Sequence, residues 1–418
     1  MQITLIAFGS RGDVTPIVAL GHELRTHGHD VRLASHAEFR DLATTHGMAF
    51  TPVAGSYQEF LKTAEGRAAL GIPRNSPLGC LGLFEPFRNV AAEAFANCWE
   101  ATRDADALVC SGVATLVGTH IAARRDLPIA FAMVVPGVRT RNFVHPSMPP
   151  WPLGRYYKRW SHHLATQLIK FGGRHVLDEW ATAADRLGGA ATHAVRGIVL
   201  VPVSPVLLPR PTDWPNEAHI SGFWLLPDQL RAAPAPELER FLNAGSAPLA
   251  IGFGSMPEDR PDQLRSIIAE ALDELDMRAV IIGGSGGAAA GFAGSDRTLE
   301  VAFADYEWLF ARASAVVHQG GVGTACFALR AGVPQVVVPY CLDHAFWAAQ
   351  LRVLGVAPPP IGRHRLTSRA VVTAVRAVLA QAGYAAAAQR ARDAIRKEPP
   401  GVQVGARLAV AHFEAARR

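Results

Sequence analysis

The sequence predicts an α/β fold with two doubly wound, Rossmann-like domains that face each other across a cleft. Three observations predict this fold class. Strand-like and helix-like segments alternate in both halves of the chain, which is typical of parallel strands joined by crossover helices. An apolar strand that ends in a glycine turn opens the chain and recurs at 248–261. The 418 residues also exceed the roughly 250 to 300 at which a single core stops growing.

Alternating segments account for the first half of the chain. The opening strand is 3–8, and Thr15 and Pro16 predict the N-cap and first position of a helix over 16–27. The segments that follow are a strand at 31–34, a helix at 37–46, a strand at 107–110, a helix at 115–124 and a strand at 129–131. Proline-rich stretches at 202–215 and 227–242 then break the rhythm and predict a linker.

The same rhythm returns in the second half. A strand begins near 248 and ends in a Gly-Ser turn before a helix, and further strands are predicted at 279–282, 315–317 and 335–339. We therefore place the boundary between two domains at 215/216.

Composition narrows the class of protein. The chain is 49% hydrophobic and 18% charged, which is globular, and its net charge of +5 is spread along the chain. This balance favours small anionic ligands over a nucleic-acid surface. The five cysteines contain no Cys-x-x-Cys pair, so neither a disulfide framework nor a thiolate metal site is indicated. No apolar run reaches the roughly 18 residues that span a bilayer, and we expect a cytoplasmic protein with peripheral membrane contact at most.

The first candidate site is the stretch AFGSRGDVTP at 7–16. Its Asp13 follows the opening strand at a strand-to-helix crossing, which is where open parallel sheets bind ligands. Gly9 and Gly12 bracket the turn and allow a ligand to come close. The alternative is that Asp13 is only a turn or cap residue of the helix that follows.

The second candidate site is AVVHQGGVGTACFALRAGVP at 315–334. A strand ends at His318, a glycine loop follows, and a helix runs from about Thr324 to a C-terminal Gly332. Loop amides and the helix N-terminus suit a phosphate, to which His318 can add a hydrogen bond or a charge and Thr324 a hydroxyl. The alternatives are an ordinary turn with a buried histidine, or a dinucleotide fingerprint whose third glycine is replaced by Cys326.

A third feature is the stretch PPWPLGRYYKRWSHHLATQLIKF at 149–171. On a helix it forms an apolar stripe of Tyr156, Trp160, Leu164 and Leu168. The flanking residues are Arg155, Lys158, Arg159, His162 and His163. This face can contact a membrane or line the access route of a lipophilic acceptor, but we favour a stripe that packs on the N-terminal domain.

GSRGDVTP, HQGGVGT and the downstream PYCLDHAFWAAQLRVLGV occur in this order along the chain. Together they resemble the nucleotide-sugar-dependent glycosyltransferases of the GT-B fold, family 1, and most closely the bacterial natural-product and sterol-type branch. The resemblance spans nearly the whole chain, including 211–224 and 248–256. It implies an inverting, metal-independent transfer from a thymidine or uridine diphosphate sugar to a hydroxyl group of a hydrophobic small molecule.

The resemblance also assigns roles to domains and residues. By it, the domain at 1–215 binds the acceptor, the domain at 216–385 binds the nucleotide sugar, and a helical segment at 386–418 crosses back to the first domain. Asp13 matches the general base of the family. The matching donor-binding positions are Ser10, Arg11 and Gly12 in the first turn, Ser255 in the second, Phe303 in the nucleobase segment, His318, Gly321, Val322, Gly323 and Thr324 in the glycine loop, and Asp343 and His344 at the sugar.

Two departures from the family pattern leave the donor open. The sugar pair is Asp343-His344 where Asp-Gln is usual, and Asp305 to Glu307 stand where proline with His-Asp or Gln-Asp is frequent. The sugar and the base are therefore not assigned. No separate cofactor, metal or nucleic acid is expected.

Two other functions remain open from the sequence. One is a catalytically silent homologue that activates a partner enzyme, and the other is a nucleotide-sugar epimerase that acts on a donor without an acceptor. A nicotinamide dehydrogenase is disfavoured by the broken fingerprint. The oligomeric state is not predicted.

Overall fold

A computed structural model of the protein describes residues 1–63, 84–227, 234–254, 258, 260–283, 291–292, 295–340 and 343–418. The chain forms two compact units. The first comprises Met1–Pro205, Pro209–Asp228 and Pro399–Arg418, and the second comprises Val206–Leu208 and Gln229–Glu398. The division thus falls at 228/229 and 398/399, where the sequence placed boundaries at 215/216 and 385/386.

The first unit is built on a seven-stranded parallel sheet with the order β3-β2-β1-β4-β5-β6-β7. Its strands are β1 Gln2–Ala7, β2 Asp30–Ser35, β3 Ala49–Pro52, β4 Ala107–Ser111, β5 Ile129–Ala132, β6 Gly197–Val201 and β7 Ala218–Ile220. Strand β1 pairs with β2 on one side and with β4 on the other. The direction of winding therefore reverses between β1 and β4, the position at which doubly wound sheets bind ligands.

Helices cover both faces of this sheet. They are α1 Arg11–Thr26, α2 Arg40–Thr45, α3 Tyr57–Lys62, α4 Ala91–Ala101, α5 Ala114–Arg125, α6 Gly154–Gly172, α7 Arg174–Gly188 and, from the end of the chain, α15 Gly401–Arg417. Helices α1 and α15 contribute Val14, Ile17 and Phe413 to one core layer. Helices α4 and α7 contribute Phe95 and Trp180 to the other.

The C-terminal helix α15 belongs to the first unit. A side chain at Gly405 would lie within 2.7 Å of the Trp224 indole, so glycine permits the close approach of this helix. Phe413 and Ala409 are fully buried in the same layer as α1. The chain returns to this unit at Pro399, since α14, which precedes it, is still part of the second unit.

The second unit is built on a five-stranded parallel sheet with the order β10-β9-β8-β11-β12. Its strands are β8 Leu249–Gly252, β9 Ala279–Ile282, β10 Thr298–Val301, β11 Ala315–His318 and β12 Gln335–Val337. Its helices are α8 Pro236–Asn243, α9 Pro261–Leu275, α10 Tyr306–Phe310, α11 Val322–Ala331, α12 His344–Val353, α13 Ser368–Ala380 and α14 Ala382–Ile395. Here the winding reverses between β8 and β11. Two parallel-sheet α/β domains are thus confirmed.

Two local predictions differ from the structure. The proline-rich stretch at 202–215 connects β6 to β7 of the first sheet, and all of it except Val206–Leu208 belongs to the first unit, where Val203 and Trp214 are buried. The predicted stripe of α6 does not face the core at its N-terminal end, because Tyr156 is 73% exposed and Trp160 52% exposed. The buried residues of this helix are instead Tyr157, Ser161, His162 and Ala165.

Among the described residues, no single helix has both the length and the apolar composition to cross a bilayer, although α13 and α14 meet these criteria jointly across a 70° bend.

Candidate active site

Asp13 lies at the point where the first sheet reverses its winding. It is the third residue of α1, and its Oδ2 accepts hydrogen bonds from the backbone N–H and the hydroxyl of Ser10, both at 2.8 Å. Among the described residues, Oδ1 receives no hydrogen bond. Burial raises the pKa of Asp13, and the two bonds from Ser10 oppose that shift. The carboxylate is therefore oriented through one oxygen while the other can accept a proton.

The start of α1 corrects the sequence prediction. The helix begins at Arg11 with Ser10 as its N-cap, five residues before the predicted start at Pro16. Ser10 and Asp13 form a capping box, which stabilises the early start. Pro16 lies within the helix, where its missing N–H leaves the carbonyl of Gly12 without the usual partner. Asp13 is consequently fixed by helical geometry and not by a turn.

Gly9 allows this arrangement. Its φ of +122° is a conformation that favours glycine, and a Cβ there would lie 2.6 Å from Oδ2 of Asp13. A larger residue at position 9 would displace the carboxylate. Ser10 is partly buried and Arg11 and Gly12 are exposed at the same helix start.

In the second unit, three loops meet at the carboxyl ends of β8, β11 and β12. A Cβ on Gly254, after β8, would lie 2.7 Å from Nε2 of Gln319, after β11. A Cβ on Gly320 would lie 2.9 Å from the carbonyl oxygen of His344, after β12. The glycine loop and the predicted sugar pair are therefore in contact, at the reversal point of the sheet.

His318 ends β11 inside the protein. It is fully buried, its Nε2 is 2.9 Å from Oε1 of Gln335, and its Nδ1 accepts the N–H of Gly320 at 3.1 Å. Burial lowers the pKa of His318 to about 4, although the bond to Gln335 acts in the opposite direction. Of the two contributions predicted for His318, a hydrogen bond or a charge, the charge is therefore absent at neutral pH, because the ring is neutral. Nε2 thus attaches the ring to β12, and Nδ1 holds the glycine loop in place.

We expect His318 to make the folded protein acid-sensitive. Its pKa is lower when folded than the ordinary 6.5, so its contribution to stability is complete above pH 6.5 and is lost as the pH falls towards about 4. Denaturant unfolding measures the free energy of unfolding across this range. As the pH falls, this free energy should decrease less for His318→Asn than for wild type, by on the order of 2 kcal/mol. Exposed His163 provides the matched variant, His163→Asn, which should leave the wild-type slope unchanged. Equal slopes for all three proteins would contradict the prediction.

Helix α11 begins at Val322 without a side-chain cap. The N–H groups of Val322, Gly323 and Thr324 have no acceptor within the helix, because they belong to its first turn. This differs from α1, whose start is closed by Ser10 and Asp13. Ten residues of aligned peptide dipoles add a partial positive charge at this end. The site can therefore bind an anion through backbone amides.

The end of α11 agrees with the sequence. Gly332 adopts the left-handed conformation, with φ of +73°, and closes the helix as predicted. The start lies two residues before the predicted Thr324. Because of this earlier start, three of the matched donor-binding residues, Val322, Gly323 and Thr324, form the first turn of the helix instead of the loop before it.

Asp343 and His344 begin α12. Oδ2 of Asp343 accepts the indole N–H of Trp347 at 2.6 Å, which fixes the carboxylate on the N-terminal side of the helix. His344 is buried, and its Nδ1 accepts the N–H of Tyr340 at 3.4 Å. A Cβ on Gly321 would lie 3.9 Å from its Nε2. The ring of His344 therefore faces the glycine loop.

A buried carboxylate joins two of these loops. Glu258, in the segment after β8, accepts the hydroxyl of Tyr340 at 3.1 Å and pairs with Arg363. Tyr340 is almost fully buried and follows β12 by three residues. The segment after β8 is thereby tied to the segment that leads to Asp343.

The remaining predicted residues are more scattered. Phe303 follows β10 at the edge of the sheet, two strands from β8, and its side chain is 57% exposed. Asp305 caps α10 by accepting the N–H of Trp308 at 2.9 Å, and Glu307 pairs with Arg330. Asp305 thus stabilises the start of α10, and Glu307 links this helix to Arg330 of α11. Ser255 lies outside the described residues.

Several residues that shape the site are not among those predicted from the sequence. Trp347 had a detectable signal, because it stands four residues after Asp343 on a helix. Gln335 had none, since it reaches His318 only through the pairing of β12 with β11, in which it lies opposite Val316. Gln319 likewise becomes notable only in the structure, where it is buried between two glycine loops and its Oε1 has no partner among the described residues.

In the described part of the chain, no group of three or more His, Cys, Asp or Glu side chains is arranged to hold a metal.

Family models match both ends of the chain. Residues 3–145 match the glycosyltransferase family 28 N-terminal domain, and residues 295–410 match the C-terminal domain of erythromycin biosynthesis protein CIII-like proteins.

Two curated proteins are similar to this chain. An O-mycaminosyltylonolide 6-deoxyallosyltransferase of Streptomyces fradiae is 33% identical over 95% of this chain and 94% of its own length. A sterol 3-beta-glucosyltransferase of Arabidopsis thaliana is 31% identical over 86% of this chain. The chain spans 58% of the length of that plant protein.

Solved structures share the fold over nearly the whole chain. The glycotransferase of kitacinnamycin has a TM-score of 0.70 and 19% identity, with 98% of each chain covered. The Streptomyces sp. SF2575 glycosyltransferase SsfS6, in complex with thymidine diphosphate, has a TM-score of 0.64 and 19% identity over 98% of this chain and 99% of its own.

Proposed function

This chain belongs to the GT-B glycosyltransferases of the bacterial natural-product and sterol-type branch, and we propose that it transfers a sugar from a thymidine or uridine diphosphate sugar to a hydroxyl group of a hydrophobic small molecule. The proposed transfer inverts the anomeric carbon and needs no metal. The observation that carries the proposal is the uncapped start of α11 after a glycine loop, in contact with the segment of Asp343 and His344. These features supply amides for a diphosphate beside polar groups for a sugar.

Asp13 is proposed as the general base. The acceptor oxygen forms a bond to the anomeric carbon while the bond from that carbon to the diphosphate breaks, and the hydroxyl proton passes to Asp13. Oδ1 suits this role because the hydrogen bonds from Ser10 occupy Oδ2. Burial raises the pKa of the carboxyl group, which makes its anion a stronger base.

The leaving diphosphate gains negative charge as the bond breaks. We assign its stabilisation to the first-turn amides of Val322, Gly323 and Thr324, which are preorganised by the loop that His318 holds. Fixed amide dipoles can stabilise this charge without a metal. His318 then acts as a positioning residue, because its ring nitrogens are used within the protein.

The sugar and the base of the donor are assigned to two other segments. Asp343, oriented by Trp347, and the adjacent His344 are proposed to bind the sugar hydroxyls. Phe303 presents an exposed ring after β10 on which a nucleobase can stack. Ser10, Arg11 and Gly12 are proposed to approach the donor from α1, and Ser255 its diphosphate.

The acceptor class is supported by the relatives. The names of the two curated proteins describe one that glycosylates a mycaminosyltylonolide and one that glycosylates a sterol, both hydrophobic molecules with hydroxyl groups. We propose an acceptor of that kind here. Cys98 and Cys110 are free and buried, which is compatible with the proposed cytoplasmic location.

A thermal-shift screen tests the donor class. Because a ligand that binds only the folded state stabilises it, thymidine or uridine diphosphate at about 100 times its Kd should add about 2.7 kcal/mol of stability. Adenosine diphosphate is the matched control, since it has the same diphosphate and a different base. The proposal would be contradicted if the melting temperature rose with adenosine diphosphate alone or with none of the three nucleotides. Sugar release from the preferred donor, with and without a hydrophobic alcohol, then separates transfer from epimerisation.

A further inference from the structure

The exposed side of α6 and the segment before it carry a concentration of large apolar side chains. Nine such side chains are exposed in the described part of the chain, and five of them fall within 151–171. They are Trp151, Leu153, Tyr156, Trp160 and Phe171. We call these five residues, with the basic side chains Arg155 and Lys170 between them, the aromatic-basic surface. Single exposed apolar residues are ordinary, but a group of this kind marks an interaction surface.

The charge around this surface is strongly one-sided. Residues 127–177 contain seven lysines and arginines and no aspartate or glutamate, whereas the rest of the chain has 34 basic and 36 acidic residues. None of the seven side chains forms an ion pair within 4.0 Å with a carboxylate of the described residues, although Asp213 accepts the backbone N–H of Arg141 and is attracted by its charge. The guanidinium of Arg155 lies 5.2 Å from the centre of the Tyr156 ring. Cationic and aromatic groups are thus interleaved on one face.

The opposite side of α6 is firmly attached to the first unit. The hydroxyl of Ser161 accepts the N–H of His145 at 2.9 Å, and the ring of His162 lies between the carbonyl oxygens of Gly137 and Phe143 at 3.2 and 3.3 Å. The ring of Trp151 stacks on buried Tyr157 with centres 5.6 Å apart. The aromatic-basic surface is therefore preformed, because its supporting helix is held from behind.

We propose that the aromatic-basic surface docks this protein on the surface of an anionic phospholipid bilayer. Tryptophan and tyrosine favour the interface between headgroups and acyl chains, where Trp151, Tyr156 and Trp160 would lie. Arg155 and Lys170 would meet the anionic headgroups, since the segment has no acidic residue to repel them. Docking of this kind is peripheral and reversible. It places the first unit at the surface where hydrophobic alcohols accumulate.

Co-sedimentation of the full chain with vesicles tests the proposal. Vesicles of phosphatidylcholine with phosphatidylglycerol should bind the protein, and vesicles of phosphatidylcholine alone should bind it at least about tenfold more weakly. Added salt should weaken the binding, because headgroup attraction is screened. Equal binding to both vesicle types, or binding to neither, would overturn the proposal.

Two pairs of variants locate the binding surface. The double variant Arg155→Glu with Lys170→Glu should reduce binding to the anionic vesicles at least about tenfold. Its control is Arg369→Glu with Lys397→Glu, which changes the net charge equally at exposed sites of the second unit. The control should bind these vesicles as the wild type does. Tyr156→Ser with Trp160→Ser should also reduce binding, and Val353→Ser with Leu379→Ser should not. The chosen side chains are exposed, so each variant is expected to fold, which circular dichroism checks. Equal losses in a variant and its control would assign binding to overall charge or hydrophobicity and refute this surface.

Discussion

Asp13→Asn should abolish sugar transfer and leave donor binding intact. Asparagine has the shape of aspartate and its oxygen can still accept both hydrogen bonds from Ser10, so the start of α1 is preserved. It cannot take the acceptor proton, and loss of a general base lowers kcat by about 100- to 10,000-fold. The measurement is kcat for transfer, together with the thermal shift caused by the donor nucleotide.

The matched control is Asp106→Asn. Asp106 also accepts a backbone N–H, from Gln2 at 2.8 Å, but it lies at the amino edge of the same sheet. Its replacement should leave kcat close to the wild-type value. Burial raises the pKa of Asp13, so the carboxylate is disfavoured in the folded state and Asp13→Asn should not lower the melting temperature at neutral pH. Wild-type turnover by Asp13→Asn would remove Asp13 from the role of base.

The start of α1 shows how a correct site can rest on a wrong local structure. Thr15 and Pro16 carry the usual signal of a helix start, yet Ser10 and Asp13 begin the helix earlier. The capping box gives partners to two backbone N–H groups at the N-terminus of α1. Pro16 removes only one hydrogen bond from the first turns of the helix. The sequence placed Asp13 after the right strand, because that depends on the alternation of strands and helices. Its exact environment depends on the competition between two caps.

Three of the four edge strands were not predicted from the sequence. The predicted strands are mostly apolar and, except for the edge strand β12, lie inside the sheets. The structure adds β3, β6, β7 and β10, of which β3, β7 and β10 are edge strands of three or four residues. A strand with one neighbour is only half buried and carries a weaker apolar pattern. These strands extend the sheets without moving the reversal points at which the candidate sites lie.

Helix α6 illustrates the limit of apolar periodicity. The pattern selected the face of Tyr156 and Trp160, but the structure buries the opposite face, which carries Ser161 and His162. Polar side chains can be buried when they are hydrogen-bonded, and these two bind backbone groups of the segment at 137–145. No partner of that kind is visible in the sequence. Tyr156 and Trp160, which we expected to pack on the domain, are therefore exposed and form part of the aromatic-basic surface.

Gly323→Ala should weaken donor binding without lowering the stability of the free protein. Gly323 is the second residue of α11, and a Cβ there meets no described atom within 4 Å, so the protein itself can accept a methyl group. The methyl would enter the space beside the first-turn amides that the diphosphate is proposed to occupy. We expect a loss of donor affinity of about tenfold or more, equivalent to about 1.4 kcal/mol. Titration calorimetry with the donor nucleotide measures it.

Gly383→Ala is the matched control, because Gly383 is also the second residue of a helix, α14, with open space around its Cβ position. It should leave donor affinity unchanged and, like Gly323→Ala, should not lower the stability of the free protein. Gly320→Ala supplies the opposite case: a φ of +94° and a Cβ 2.9 Å from the carbonyl oxygen of His344 should destabilise the free protein by about 1 to 3 kcal/mol. The two loop variants thus separate loop architecture from ligand contact. Wild-type donor affinity in Gly323→Ala would show that the diphosphate does not bind at the start of α11, whatever the effect of Gly320→Ala.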